Sequence, residues 1–483
     1  AFNKRTFSEL THSEKGAIVN AYVDQIETLA KEKGIYMTDM DNDASGNVNE
    51  PAEKEQSYSD QPTPPHAVFH FPQDLTDFYP NTPTQKVNAN IEAIQLVKKL
   101  QKENRQATST EQRILAKYVG WGGLANTFFD ENLKRYEGQR QTLKSLVTPN
   151  EYAEMRQSSL TAYYTDPEII RSIYLHLEKQ GFKGGRILDP AMGTGNFFSA
   201  MPADLRDNSQ LYGVELDSLS GAIAKQLHPD TDVKVQGFET TAYNDKSFDL
   251  VIGNVPFSDF SIMDDKYGKP YAIHDYFFKK SMDLVRDGGV VAFITSTWTM
   301  NKKSTQFRNE LNGIASFVGG VRLPNDAFKH IAGTDVATDI LFFKKGEYAH
   351  TIDNWIDTAP IPNPSGGVLE GVVSNDYFTD LDKVAGQYIT KNFHGKTLSV
   401  APFDKPLIKQ VDKILDNQSF TFDSDLSSYD VSVEDETSSS RLDIATLPEE
   451  VLNLEPQSHI IVDRKIYFND GIDGIIKKNK DWF

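Results

Sequence analysis

The stretch Asp189-Pro190-Ala191-Met192-Gly193-Thr194-Gly195 decides the fold of this 483-residue chain. It follows the short apolar run Arg186-Ile187-Leu188, and together they predict a strand, a glycine-rich turn and a helix that begins near Phe197. The glycines at 193 and 195 let the backbone turn tightly against a ligand. In a doubly wound parallel sheet such a turn lies at the carboxyl ends of the strands, where ligands bind. The stretch therefore predicts an α/β fold with a small-molecule site at that edge.

A second strand is predicted over Leu211-Tyr212-Gly213-Val214-Glu215. Its terminal carboxylate, Glu215, follows the glycines by about twenty residues, the spacing at which an acidic residue accepts ribose hydroxyls. This favours a nucleoside cofactor. An ordinary strand-to-helix turn with a surface glutamate stays the alternative, because a lone Gly-x-Gly is a weak signal.

The apolar run Phe248-Asp249-Leu250-Val251-Ile252-Gly253 predicts a buried strand that delivers Asn254-Val255-Pro256-Phe257 to the same edge. If the asparagine side-chain oxygen and the valine carbonyl each accept one hydrogen of an exocyclic amino group, its nitrogen becomes a better nucleophile. The proline fixes the turn, and the phenylalanine offers a flat face to a planar base. A strand-ending turn without chemistry is the alternative.

Taken together, these motifs resemble the amino-group DNA methyltransferases that use S-adenosylmethionine, in the adenine-N6 branch whose cofactor motif precedes the catalytic one. The resemblance covers about residues 162–345. The chain is also similar to the methyltransferase portion of large methylase–helicase proteins of phages and conjugative elements. In those proteins a stretch like residues 118–123 lies upstream of the methyltransferase motifs. Further matching segments follow in the family's order: 163–167, 236–239, 274–278, 287–295, 320–324 and 338–343.

The resemblance implies a Rossmann-like, doubly wound, mostly parallel sheet, the class I methyltransferase fold, with a helical N-terminal region and a small C-terminal region. It implies S-adenosylmethionine as cofactor and adenine-containing DNA, with the base flipped out of the duplex, as substrate. The implied catalytic residues are Asn254, Val255, Pro256 and Phe257. The implied cofactor-binding residues are Tyr164, Thr165, Asp189, Pro190, Ala191, Gly193, Gly195, Glu215, Asp217, Phe238, Glu239 and Asn254.

The family's usual catalytic tetrapeptide has proline where this chain has Val255. The acceptor expected there is a backbone carbonyl, which valine also supplies, so an active adenine-N6 DNA methyltransferase is the leading interpretation. Two alternatives stay open. One is a catalytically silent DNA-binding or protective, anti-restriction subunit of a mobile element, and the other is a methyltransferase for RNA adenine or protein glutamine.

The net charge of −19 is unusual for an enzyme that binds nucleic acid. Residues 41–60 carry −5 of it and residues 421–450 carry −8, so only −6 remains for the rest of the chain. Both segments are typical of flexible, solvated linkers. Mimicry of nucleic acid or shielding of a basic cleft is the alternative interpretation of these segments.

Other features of the composition narrow the class of protein. The chain has no cysteine, which excludes disulfides, thiolate metal sites and cysteine nucleophiles. No apolar run reaches the roughly 18 residues of a membrane span, so we expect a cytoplasmic protein. No metal site is predicted, because His274 has no second histidine at helical ligand spacing. The first residue is Ala1 rather than methionine, and the sequence leaves open whether the chain is a fragment of a larger protein.

Composition and periodicity divide the chain into successive regions. Within the second helical region, Lys98, Lys99, Lys102 and Arg105 are candidates to track a DNA backbone, with a solvated helix face as the alternative. Further candidates are Trp121, Lys134, Arg135 and Arg140. A helicase or specificity partner is expected outside this chain. The predicted regions are a helical element 1–40, an acidic flexible linker 41–66, a helical cap 67–160 with possible DNA contacts, a methyltransferase domain 161–346, and a small C-terminal region 347–483 with an acidic flexible segment 417–450.

Overall fold

The computed structural model describes most of the chain after residue 66. The predicted helical element 1–40, the linker 41–66 and most of the acidic segment 417–450 lie outside the described residues. The described ranges are 67–422, apart from 159–163, 259, 332, 334, 347–351 and 393–395, together with 459–462, 465–469 and 475–478.

A group of helices precedes the sheet in the described chain. The first begins with a capping box, in which the side chains of Thr82 and Gln85 each accept a hydrogen bond from the other's backbone N–H, and has Pro83 at its first position. It ends where Asn104 takes a left-handed conformation. The helices are α1 Pro83–Glu103, α2 Ser109–Leu115, α3 Ala125–Phe128, α4 Glu137–Leu146 and α5 Pro149–Ser158.

Two of the predicted DNA contacts in this region are core residues instead. Trp121 is 1% exposed, and its ring stacks on Phe128 with 4.3 Å between centroids. Arg140 is also buried and donates to the Phe128 carbonyl at 3.1 Å. Both side chains stabilise the packing of α3 and α4, and neither presents its polar group to a DNA backbone.

Two of the candidate cations on and after α1 are already paired. Lys98 forms an ion pair with Glu151 of α5, and Arg105 binds Glu111 of α2 with an N–O distance of 2.7 Å. These contacts favour the solvated, ion-paired helix face over a DNA-tracking surface for this pair of side chains.

Strands and helices then alternate along the chain, as predicted. Asp166 caps the first of these helices by accepting from the backbone N–H of Glu168, and Pro167 occupies its first position. The elements are α6 Pro167–Lys179, β1 Gly185–Asp189, α7 Asn196–Ser199, α8 Ala203–Asp207, β2 Ser209–Glu215, α9 Ser218–Leu227, β3 Asp232–Val235, β4 Phe248–Asn254, β5 Ser261–Ile262, β6 Tyr271–Ala272, α10 Ile273–Leu284, β7 Val285–Ser296, α11 Trp298–Asn301, α12 Gln306–Asn312, β8 Ala315–Leu323 and β9 Thr338–Lys345.

These strands form a seven-stranded sheet in the order β3-β2-β1-β4-β7-β9-β8. The strands from β3 to β7 run parallel, and β9 runs antiparallel to both of its neighbours. The predicted Rossmann-like, mostly parallel sheet is therefore confirmed. The order along the chain reverses between β1 and β4, and this switch point is where ligands bind in sheets of this class.

Both faces of the sheet are buried, which explains the consecutive apolar residues Leu250, Val251 and Ile252 of β4. Leu250 and Ile252 belong to one hydrophobic cluster, which includes residues of α1, α6 and α9. Val251 belongs to a second cluster, which includes residues of α10 and α12. Because successive side chains of a strand face opposite sides, a strand covered on both sides is mostly apolar. The one charged residue of β4, Asp249, is buried as an ion pair with Arg286.

The C-terminal region contains small antiparallel sheets, separate from the seven-stranded sheet, and one helix. Residues 407–416 form the helix, and strands 459–462 and 465–469 form an antiparallel hairpin. The elements are β10 Thr358–Pro362, β11 Val368–Asn375, β12 Gln387–Asn392, β13 Lys396–Ala401, α13 Leu407–Asp416, β14 His459–Val462, β15 Lys465–Asn469 and β16 Ile475–Lys478.

A buried arginine joins the C-terminal region to the sheet. Arg322 of β8 is fully buried and binds both oxygens of Asp339 on β9, at 2.7 and 2.8 Å. The same guanidinium donates to Ser374 Oγ at 2.5 Å and to Tyr388 Oη at 3.0 Å. Because a buried guanidinium needs every one of these partners, β11 and β12 are fixed to the sheet.

The acidic segment does not begin at residue 417 as a flexible chain. Gln418, Phe420 and Phe422 are all buried. The backbone N–H of Phe422 donates to the carbonyl of Gln180, directly after α6, at 2.9 Å. The predicted start of the flexible segment is therefore too early, because two aromatic side chains hold residues up to 422 in the core.

Candidate active site

A cavity of about 620 Å³ opens at the carboxyl ends of β1, β2 and β4. Its volume is within the range of small-molecule binding sites. Most of the predicted site residues line this cavity. They come from separate segments of the chain between residues 164 and 256. The predicted residues that line the cavity are Tyr164, Thr165, Pro190, Ala191, Gly193, Glu215, Asp217, Phe238, Glu239, Asn254 and Pro256. The predicted residues that do not line it are Asp189, Gly195, Val255 and Phe257.

Gly195 shapes the glycine-rich loop from behind the cavity. Its φ of +88° lies in the left-handed region that side chains disfavour. A Cβ at this position would lie 2.4 Å from Cδ2 of His228, which is fully buried behind the loop. Glycine is therefore required here for both conformational and steric reasons.

Asp189 supports the same loop from the end of β1. Its side chain is 1% exposed and accepts a hydrogen bond from the backbone N–H of Ala191 at 3.1 Å. Burial raises the pKa of Asp189 well above its usual range. Because Asp189 does not line the cavity, we expect it to affect ligand binding only indirectly, by fixing the backbone of the loop at Ala191.

Glu215 connects the ends of β1 and β2. One carboxylate oxygen accepts from the backbone N–H of Gly193 at 2.8 Å, and the other accepts from that of Asp217 at 2.7 Å. Burial, with the Asp217 carboxylate as a second cause, raises the pKa of Glu215 to about 7. Each oxygen retains acceptor capacity for a hydroxyl group of a ligand.

The cavity wall is acidic. Glu154, Glu215, Asp217 and Glu239 line it, and none of the described residues that line it is lysine, arginine or histidine. Such a wall repels phosphate groups and favours a ligand that carries positive charge.

Apolar side chains form the next group of lining residues. Leu216, directly after Glu215, is 73% exposed. The rings of Phe238 and Phe277 lie 5.0 Å apart, and Ile273 lines the cavity beside Phe277 at the start of α10. An exposed leucine on a cavity wall is expected where a bound aromatic group covers it.

Asn254 ends β4 with its side-chain amide held from another segment of the chain. Its Nδ2 donates to Thr165 Oγ1 at 3.1 Å, and the Thr165 side chain is buried. The Thr165 carbonyl in turn accepts from Asn196 Nδ2 at 3.2 Å. Because the nitrogen end of the Asn254 amide is committed to Thr165, the oxygen end is the one suited to accept from a substrate amino group.

Val255 extends the sheet beyond the end of β4. Its backbone N–H donates to the carbonyl of Ile294 on β7 at 3.0 Å, and its side chain is 1% exposed. Proline has no N–H and is unable to make this bond. In proline the ring would fix the backbone at this position. In this chain the backbone of Val255 is fixed instead by a hydrogen bond to β7 and by packing of the side chain in the core.

Phe260 and Met263, which follow the catalytic tetrapeptide in the sequence, line the cavity although they were not predicted. Phe260 is 51% exposed and Met263 is 56% exposed. Phe257, which we predicted as the stacking face for a base, is not among the lining residues. Large apolar residues in an otherwise polar loop, shortly after the catalytic tetrapeptide, were the available signal for Phe260 and Met263.

Glu154 was missed because nothing in the local sequence marks it. It belongs to α5, and its carboxylate accepts from Ser218 Oγ at 2.8 Å at the start of α9. The other lining residues that were not predicted lie in or beside motifs that the sequence did reveal: Met192, Asn196, Phe197, Leu216, Ser220, Gln236, Gly237, Ile262, Ile273 and Phe277.

His274 lies next to the cavity wall at the start of α10. Burial lowers its pKa to about 4, and its Nε2 lies 3.5 Å from the Asp275 carboxylate. Within the described ranges, no group of three or more histidine, aspartate or glutamate side chains is arranged to hold a metal ion. The described helices include none that is both long and apolar enough to cross a membrane.

Residues 148–359 match the family model of the N-6 DNA methylases. This part of the chain is similar to that family. The N-6 DNA methylase match begins just before α5 and ends within β10, so it includes every residue that lines the cavity, from Glu154 to Phe277.

Two curated proteins are similar to part of the chain. "Defense against restriction protein B" of Escherichia phage P1 is 27% identical over 263 residues, which are 53% of this chain and 10% of that protein. The methylase subunit of the type I restriction enzyme EcoEI of Escherichia coli is 25% identical over 230 residues, 42% of this chain and 45% of that protein. The chain thus spans less than half the length of either relative.

A solved structure is also similar to the chain. The methyltransferase subunit of a type I restriction-modification system from Streptococcus thermophilus is 14% identical, covers 71% of this chain and 75% of its own, and has a TM-score of 0.37.

Proposed function

We propose that this chain transfers a methyl group from S-adenosylmethionine to the exocyclic N6 nitrogen of adenine in DNA. The observation that carries the proposal is the place of Asn254 on the wall of the same cavity as Glu215, with its amide held by Thr165. The family match over residues 148–359 and the similarity to a type I restriction methylase subunit support it.

The residues of the cavity fit S-adenosylmethionine. Glu215 would accept the ribose hydroxyls, and Leu216 and Phe238 would cover the adenine. The acidic wall complements the net positive charge of the cofactor, and the lack of cations among the described lining residues disfavours a dinucleotide or nucleoside triphosphate. The bound cofactor supplies a methyl group on a positively charged sulfur, which a neutral nitrogen is able to attack.

Asn254 and Val255 would prepare that nitrogen. The amino lone pair of adenine is delocalised into the ring, so the free amine is a poor nucleophile. Hydrogen bonds from the two amino hydrogens to the Asn254 oxygen and the Val255 carbonyl would favour a tetrahedral nitrogen. No side chain has to remove a proton before transfer, because the nitrogen loses its proton only after it has become positively charged.

The substrate base must leave its stack to reach Asn254 if the DNA is a duplex, at a cost of a few kcal/mol. Phe260 and Met263 would offset part of this cost, since exposed apolar and aromatic faces at the cavity mouth are available to a planar base. Phe257 stays a prediction as a stacking face. The cytoplasmic location, and a helicase or specificity partner outside this chain, also stay predictions.

The test combines calorimetric titration of S-adenosylmethionine with transfer of a labelled methyl group to unmethylated DNA at a stated salt concentration. Asn254→Ala should lower transfer at least about a hundredfold, the scale for loss of one preorganised polar group. Cofactor affinity should change less than about twofold. The control is Asn132→Ala, an exposed residue that does not line the cavity. Equal losses of transfer and affinity would contradict a substrate role for Asn254.

A second candidate is a catalytically silent, protective subunit of a mobile element. The relative named "Defense against restriction protein B" favours it. This candidate predicts that the chain binds DNA without methyl transfer, even when many sequences are offered. Transfer to RNA adenine or protein glutamine in the same screen would support the remaining alternative.

A further inference from the structure

A buried lysine lies between the two loops that flank the cavity. Lys280 of α10 is 6% exposed. Its Nζ donates to the backbone carbonyls of Phe238 at 2.7 Å, Glu239 at 3.2 Å and Thr241 at 3.1 Å. These carbonyls belong to the 3₁₀ turn Phe238–Thr240 and the residue after it. The turn carries two lining residues, so the ammonium group fixes one wall of the cavity from behind.

The same ammonium group faces the loop that follows the catalytic tetrapeptide. Asp264 Oδ2 lies 3.8 Å from Lys280 Nζ and accepts from Tyr276 Oη, also on α10, at 2.6 Å. The other oxygen of Asp264 accepts from the backbone N–H of Lys266 at 3.0 Å. Asp264 directly follows Met263, whose side chain lines the cavity. The loop is thus anchored on α10 at one carboxylate.

The ammonium group of Lys280 contacts three carbonyls and a carboxylate. These contacts hold the turn and the loop in position more firmly than apolar packing of the side chain would. Burial removes the water that would otherwise solvate the charge, and burial lowers the pKa of Lys280 to about 8. The contacts of a desolvated charge are therefore strong and costly to lose. Movement of the turn would change the position of the ammonium group and, through it, the position of Asp264.

We propose that Lys280 is a positioning residue that couples the cofactor side of the cavity to the loop that carries Phe260 and Met263. The inference rests on the proposed function, since it takes the Phe238–Thr240 turn as the site of the cofactor's adenine. Occupation of the turn fixes its carbonyls, the carbonyls fix the ammonium group, and the ammonium group fixes Asp264. Binding of the cofactor then orders the surface that meets the substrate base.

Amide hydrogen exchange on the full chain, with and without S-adenosylmethionine, tests this coupling. In the wild type, the cofactor should slow exchange in residues 236–241 and also in residues 260–268. Lys280→Met should lower cofactor affinity about tenfold and abolish the slowing in residues 260–268. Asp264→Asn keeps the contacts of Lys280 with the turn, so it should retain cofactor affinity and the slowing at 236–241 while losing the slowing at 260–268.

Lys225→Met is the matched control, because Lys225 is an exposed lysine on α9, and it should behave as the wild type. Slowing at 260–268 that persists in Asp264→Asn, together with unchanged cofactor affinity in Lys280→Met, would overturn the coupling. A chain that binds the cofactor and shows the coupling but does not methylate adenine would contradict only the proposed substrate. No cofactor effect at any residue of the wild type would overturn both proposals.

Discussion

The wall of the cavity that carries Gly193 and Glu215 is built by neighbouring strand ends, whereas the wall that carries Asn254 and Phe260 depends on distant segments. Gly193 and Glu215 are 22 residues apart and share a direct hydrogen bond. Asn254 is held by Thr165, which is 89 residues away in the chain. The first wall is therefore fixed by a local motif, and the second by tertiary packing. We refer to them as the cofactor wall and the substrate wall.

The two walls also differ in how they meet solvent. Asp189 and Gly195 support the cofactor wall from buried positions, and Glu215 has both oxygens bound to backbone N–H groups. The substrate wall exposes Phe260 and Met263 by about half of their surface. Under the proposed function, the preorganised wall would bind the cofactor, which is the same molecule in every reaction cycle. The exposed apolar wall would bind a base that is part of a nucleic-acid chain.

Gly195→Ala should have the largest effect on the cofactor wall. The added Cβ meets the buried ring of His228 and occupies a left-handed backbone conformation. We expect a loss of more than about 2 kcal/mol in the free energy of unfolding and a loss of measurable cofactor affinity. Chemical denaturation and calorimetry would measure the two effects.

The control for that substitution is Gly138→Ala on α4, where a Cβ meets no atom within 4 Å. It should be neutral or stabilise the chain by up to about 1 kcal/mol, because alanine favours helix. If Gly195→Ala behaved like Gly138→Ala, the loop would be free to move, and the rigid description of the cofactor wall would be wrong.

The pH dependence of cofactor binding should show an intermediate effect. The pKa of Glu215 is about 7 without ligand, because burial and then Asp217 disfavour its charged form. A positively charged ligand that needs the ionised carboxylate lowers that pKa. Affinity should therefore be constant above about pH 7 and fall as the pH decreases, by up to about tenfold per unit.

Glu215→Gln removes the titrating group and should give a weaker, flatter profile between pH 5.5 and 7, measured by calorimetry. The cofactor-free protein should respond in the opposite direction. A carboxylate whose pKa is raised on folding destabilises the fold when ionised, so the wild type should gain stability relative to Glu215→Gln as the pH falls below about 7. A wild-type affinity that stayed constant from pH 7.5 to 5.5 would contradict this role.

Phe260→Ala should give the smallest effect, and only on the substrate wall. Stacking of a base on an aromatic ring contributes about 1–3 kcal/mol, so KM for DNA should rise about fivefold or more. Cofactor affinity should stay unchanged. Leu175→Ala, at an exposed position of α6, is the control for loss of exposed apolar surface. A change in cofactor affinity equal to the change in KM would mean that the two walls are not separable.

Much of the fold was predictable because the sequence patterns that indicate it lie within short, continuous segments. The apolar runs of β1 and β4 and the glycines after β1 lie in short, continuous segments, and their order along the chain predicts a parallel sheet. The residues of the cofactor wall follow from the same motifs. Leu216 is the exception, since an exposed leucine has no signature in sequence.

The remaining parts of the site were not predicted, because side chains from separate helices line the cavity or support its walls. Glu154 comes from α5 and Lys280 from α10, and neither belongs to a motif. The roles of Trp121 and Arg140 were misjudged for a related reason. Aromatic and basic residues are suited to DNA contacts and to core packing alike, and only the tertiary structure distinguishes the two uses.

The aromatic pair after α13 limits where this domain is able to be joined to another protein. Phe420 and Phe422 are buried against the sheet and the end of α6, and each contributes roughly 1.5–3 kcal/mol of apolar burial. The family match ends at residue 359, well before them. A recombination event that joined the domain to a new partner at that point would leave an apolar groove beside α6. As a module of evolution or of engineering, the domain therefore extends at least to Phe422.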